Sequence, residues 1–231
     1  MVMETVKLDI HGHAMDMLVD APPSDGPHPA VLLMFHRGGF DDFTKGRIAA
    51  IRDGGYLVCT PNFYHRCPDG HQGNGCKQFL KDSEVLSEIR AAGDALLARP
   101  DVDESRVFIL GHCMGGRMAM MGAAWVPIFR GCVVFYGGGM FIPWGDEGAV
   151  PFDWIDAIEC PVVGFFGDND VNPSLEEVNR IDARLTEADV EHTFHRYADV
   201  GHGFQNPAHD APETRAASAD AWAKTLDFLK I

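Results

Sequence analysis

The chain has 231 residues, 46% of them hydrophobic, enough for one domain with a substantial core. Its 19 Lys and Arg against 34 Asp and Glu give a formal net charge of −15, which argues against nucleic acid or an anionic membrane surface as a partner. Met1–Asp20 alternates polar and apolar residues with no apolar leader run, and no stretch is long enough to span a bilayer. Six cysteines without a leader point to reduced thiols and a cytoplasmic protein, monomer or homodimer.

Taken in chain order, Val6–Ala21 reads as two strands around a turn at Gly12, and the Pro-rich Pro22–Pro29 as a loop. Ala30–Phe35 is an unbroken apolar run, the mark of a strand buried on both faces. Thr44–Asp53 reads as a helix closed by Gly54-Gly55, Tyr56–Thr60 as a second buried strand, and Pro61–Gln78 as a long loop. Lys81–Ala98 places Val85, Ile89, Ala92 and Leu96 on one helical face. Strands follow at Arg106–Leu110, Cys132–Tyr136, Val162–Phe166 and His192–Tyr197. Helices follow at Ser174–Glu187, opened by the capping box Ser174-x-x-Glu177, and at Thr214–Ile231. Strands that alternate with helices predict a single α/β domain over residues 1–231, with a mostly parallel central sheet flanked by helices on both faces. Gly137–Trp154 is rich in Gly and Pro yet carries Phe141, Trp144, Phe152 and Trp154, the composition of a lid.

Gly111-His112-Cys113-Met114-Gly115 lies between the strand run Val107–Leu110 and a helix-forming run. The G-x-C-x-G pattern in a strand–turn–helix context is that of an α/β-hydrolase nucleophile elbow, with cysteine in place of serine. The elbow puts the sulfur at a helix N-terminus, where thiolate is favoured over thiol. Such a nucleophile needs a proton carrier and a group that orients it. Both candidates follow in the order nucleophile, acid, histidine. Gly167-Asp168-Asn169-Asp170 comes after one strand and Gly201-His202-Gly203-Phe204 after the next. Asp168 competes with Asp170; the fourth residue of the turn is the better placed to face the histidine, while Asp168 can hold the turn.

Together, Gly111-x-Cys113-x-Gly115, Gly167-x-x-Asp170 and Gly201-His202-x-Phe204 resemble the dienelactone hydrolase (carboxymethylenebutenolidase-like) family. Pro61-Asn62-Phe63-Tyr64 and Phe135-Tyr136-Gly137 resemble it too. The resemblance implies the α/β-hydrolase fold, no cofactor or metal, and hydrolysis of small lactones or activated esters through a thioester at Cys113. It implies His202 as base and then acid, Asp170 as its orienter, and an oxyanion hole of the Met114 and Arg37 backbone N–H groups. Two departures bear on substrate. His36 stands where the family has a glutamate, and Phe204-Gln205-Asn206 lacks the family's arginine. His36, Tyr64, Arg66, Trp144 and Phe204 are the substrate-binding candidates, with Arg37, Arg66 or Lys77 able to supply a replacement cation. His112 is expected to pack beside the elbow and Arg117 to form a structural ion pair. A non-hydrolytic binder on the same fold is the alternative. The His65, Cys67, His71 and Cys76 cluster fits no common zinc spacing.

Overall fold

Ala30, Leu32 and Met34 face one hydrophobic cluster and Val31 and Leu33 a second, so one strand serves two cores. That double burial is the organising fact of the computed structural model, which describes residues 3–231, the side chain of Asp69 excepted. The strands are β1 (Glu4–Ile10), β2 (His13–Asp20), β3 (His28–Met34), β4 (Leu57–Pro61), β5 (Val102–His112), β6 (Gly131–Phe135), β7 (Val162–Gly167) and β8 (His192–Tyr197). The helices are α1 (Asp42–Asp53), α2 (Asp82–Leu97), α3 (Met114–Trp125), α4 (Leu175–Glu187) and α5 (Pro212–Phe228). The strands form one eight-stranded sheet in the order β1-β2-β4-β3-β5-β6-β7-β8. β1, β2 and β4 pair antiparallel; from β4 through β8 every pairing is parallel.

Ile48 and Ile51 of α1 and Ala217 and Ala221 of α5 cover one face. Val85 and Ile89 of α2, most of α3, and Val178, Ile181 and Leu185 of α4 cover the other. This is the α/β-hydrolase fold, with the predicted helices on both faces. Local signals set the helix starts: Asp41 caps α1 by accepting the Thr44 N–H at 3.0 Å, and Ser174 and Glu177 cap α4 reciprocally. β5 starts earlier than its apolar run, because Val102 pairs with His28 before an exposed polar bulge at Asp103–Ser105.

Two expectations are corrected. Cys67 and Cys76 form a disulfide, leaving Cys59, Cys113, Cys132 and Cys160 free, so the thiol count no longer argues for a reducing compartment. Gly137–Trp154 is a docked wall rather than a lid. Phe141 packs on Phe152 at 4.6 Å, Trp154 meets Trp125 edge-on at 5.8 Å, and Trp144 is buried. The reading of Met1–Asp20 includes Met1 and Val2, which lie outside the described residues. Among the described residues no helix is long and apolar enough to cross a membrane.

Candidate active site

Cys113 sits between β5 and α3 with φ 56° and ψ −117°, a left-sided conformation that costs a non-glycine residue strain. Its neighbours explain why the turn can be this tight. A Cβ on Gly111 would strike the Gly115 backbone, and a Cβ on Gly115 would strike the Met34 carbonyl. The elbow therefore presses α3 against the ends of β3 and β5 and leaves the sulfur at the helix N-terminus.

Two further loops at the C-terminal ends of strands reach the sulfur, as open parallel sheets favour. His202, after β8, places Nε2 at 2.9 Å from Cys113 Sγ and Nδ1 at 2.7 Å from Asp170 Oδ2. Asp170, after β7, is buried, and its other oxygen accepts the Asn172 N–H at 2.8 Å. Asp168 instead pairs with Arg196 at the surface. The geometry thus brings Cys113, His202 and Asp170 together and leaves Asp168 out.

Burial opposes ionisation of the Cys113 thiol. The hydrogen bond and charge of His202, the Met114 N–H and the charge of Arg37 outweigh it, and the thiol titrates below its ordinary value. Burial likewise opposes protonation of His202, but hydrogen bonds to Asp170 and Cys113 and their charges raise it to about 10. Both shifts favour the thiolate–imidazolium form, and the titrations of the pair are coupled. One prediction follows from the signs. The inflection of the rate of Cys113 alkylation by iodoacetamide against pH is expected below the ordinary thiol value. In His202→Asn the inflection of the rate against pH moves up towards ~8.5. An inflection near that value in the unmodified protein would contradict the ion pair; Cys59, Cys132 and Cys160 are buried and do not confuse the readout.

The Arg37 peptide follows β3, in a turn where the Gly39 N–H bonds the His36 carbonyl at 3.0 Å. Met114 and Arg37 both border a cavity of about 550 Å³ that opens onto Cys113 and His202. Tyr64 does not border it. Its ring is buried, and its hydroxyl donates to the Arg37 carbonyl at 2.9 Å, so it fixes the Arg37 peptide from below. Phe204 is also corrected: it is buried against Tyr136 and Tyr197, because the turn after His202, with Gly203 at φ 72°, directs it into the core. Arg66 is corrected as well, since it pairs with Glu84 and Glu88 and lies away from the cavity.

His36 and Trp144 do border the cavity. His36 is held by Asp41 at 2.7 Å and packs edge-on to Phe43. Arg37 and Lys77 supply two positive charges to the same cavity, and among the described residues neither has a carboxylate partner. Burial lowers the Lys77 pKa, partly offset by the Cys113 charge. His112 is fully buried, stacked on Phe135 at 4.5 Å, and burial holds it neutral. Arg117 is buried in an ion pair with Asp82. Asn74, Asn206 and His209 line the cavity without any signal in the sequence beyond lone polar residues in loops. Cys67 and Cys76 bond each other, His65 bonds Glu88 and His71 bonds the Asn74 carbonyl, so these four side chains do not converge.

The arrangement can hold a thiolate, deliver a proton beside it, and accept a developing oxyanion, which together are the parts of acyl transfer. Known proteins place it further. The chain is 28% identical over 224 residues to a Synechocystis protein named "Putative carboxymethylenebutenolidase", covering 90% of this chain and 88% of that one. It is 26% identical to a Bradyrhizobium protein named "Probable 2-oxo-3-(5-oxofuran-2-ylidene)propanoate lactonase", covering 99% and 94%. The crystal structure of a "Putative Dienelactone Hydrolase" from Klebsiella pneumoniae superposes with a TM-score of 0.86 at 23% identity, over 99% of both chains, a likeness of fold. The model of the dienelactone hydrolase family matches residues 15–231, a span that takes in the elbow, the aspartate-bearing end of β7 and the histidine loop, and the chain belongs to that family.

Proposed function

We propose that this dienelactone-hydrolase-like protein hydrolyses small lactones or activated carboxylic esters through a thioester on Cys113. The observation that carries the reading is the continuous chain Cys113 Sγ–His202–Asp170, with both contacts at hydrogen-bond length. The thiolate attacks the carbonyl carbon, and the oxyanion is met by the Met114 and Arg37 N–H groups. His202 passes its proton to the departing oxygen, then takes one from the water that hydrolyses the thioester.

A thiolate is a better leaving group than an alkoxide, so the tetrahedral intermediate returns to substrate unless the departing oxygen is stabilised. Enol lactones leave as enolates and aryl esters as phenolates, and both meet that condition. Arg37 and Lys77 further favour substrates with an acid group, in a chain that is otherwise strongly anionic. A substrate panel tests this. Enol lactones and p-nitrophenyl esters are expected to turn over at least about 100-fold faster, as kcat/KM, than matched alkyl esters. Equal rates for alkyl and aryl esters would contradict a thiolate mechanism, and no turnover with any of them would favour a pocket that binds without hydrolysis.

A further inference from the structure

We infer that the apolar groove beyond the Lys77–Trp144 wall is a subsite for an extended acyl chain, so that this site accepts esters whose acid half carries an apolar chain or ring. The inference rests on the hydrolytic reading above. The groove, about 730 Å³, is bordered by Leu80, Ile142 and Pro143, and it shares Arg37, Asn74, Lys77 and Trp144 with the cavity over Cys113. The two spaces therefore meet along one wall.

Direction comes from the chemistry. The departing oxygen must lie against His202 to receive its proton, so the leaving group occupies the side formed by His202, Gly203, Asn206 and His209. None of those residues borders the outer groove. The acyl substituent extends the other way, past Lys77 and Trp144 and into the groove. Lys77 lies with Nζ 4.9 Å from the Trp144 ring, so the two side chains together form the wall that the acyl chain passes.

The groove is also held open. Ile142 is 53% exposed, while Trp144 two residues on is buried. A single exposed isoleucine is ordinary. Here its backbone is pinned: Arg117 donates to the Gly139 and Ile142 carbonyls at 2.9 Å each, and Asp82 accepts the Trp144 N–H at 2.9 Å. The buried Arg117–Asp82 pair thus fixes the segment that presents Ile142 to the groove.

The test measures binding of the product acids butyrate, hexanoate and octanoate to Cys113→Ala by calorimetry, which needs no turnover. Affinity is expected to rise about twofold per added methylene, since an open groove removes only part of each methylene from water. Ile142→Asp is expected to flatten the series and leave butyrate binding unchanged; Ile142→Ser, a milder change, is expected to reduce the slope. A flat series in Cys113→Ala, or an unchanged slope in Ile142→Asp, would overturn the subsite. Turnover of p-nitrophenyl acetate by the unmodified protein is scored separately. Turnover with a flat series rejects the groove alone, and a rising series without turnover rejects hydrolysis alone.

Discussion

On p-nitrophenyl acetate, Cys113→Ala lowers kcat/KM by at least about 10⁴-fold, to the level that a pocket and an oxyanion hole sustain without a nucleophile. The fold is expected to survive, because the elbow's tightness is set by Gly111 and Gly115 rather than by the sulfur. Alanine at the same φ of 56° carries the same backbone strain as cysteine. A loss below about tenfold would mean that another group attacks the carbonyl. Cys59, Cys132 and Cys160 cannot substitute, since all three are buried and burial raises their thiol pKa values.

Asp170→Asn is expected to lower kcat/KM by about 10³- to 10⁴-fold. Asparagine keeps the shape but offers an amide to His202, so the imidazole is no longer held with Nδ1 protonated and the imidazolium loses its partner. The hydrogen bond that His202 donates to Asp170 is among the causes that raise His202 to about 10, and its removal lowers the pH up to which His202 stays protonated. Asp168→Asn, two residues away, is expected to leave kcat/KM within about twofold, because Asp168 serves Arg196 at the surface. Equal losses from the two substitutions would mean that the β7 turn as a whole, rather than the Asp170 carboxylate, matters for activity.

The parts of this molecule that its sequence makes legible are those where one physical demand dominates. Ala30–Phe35 must be a doubly buried strand, and Ser174-x-x-Glu177 must open a helix. A cysteine between Gly111 and Gly115 after an apolar run must be an elbow. The proposed triad is legible because its members sit just past strand ends, and strand ends are visible as breaks in apolar runs. The substrate side is less legible because it depends on which way loop residues turn. Tyr64 and Phe204 look like pocket residues by position, yet both turn inward, one to brace the Arg37 carbonyl and the other into the core. Arg66 is drawn away by Glu84 and Glu88, partners from a helix about twenty residues on. Asn74 reaches the cavity on the loop that the Cys67–Cys76 bond closes and Lys77 directly after it, a pairing that the expectation of reduced thiols did not include. The aromatics of Gly137–Trp154 do cover a surface, but it is the protein's own, with Arg117 3.8 Å over the Trp144 ring.

Mass spectrometry of the intact protein, quenched within seconds of mixing with enol lactones and activated esters and followed by peptide mapping, tests the thioester most directly. The expected result is one added acyl group per chain, mapped to Cys113, released by hydroxylamine and absent in Cys113→Ala. Rapid turnover with no acyl adduct on Cys113 under any quench, or an adduct on a different residue, would contradict the account.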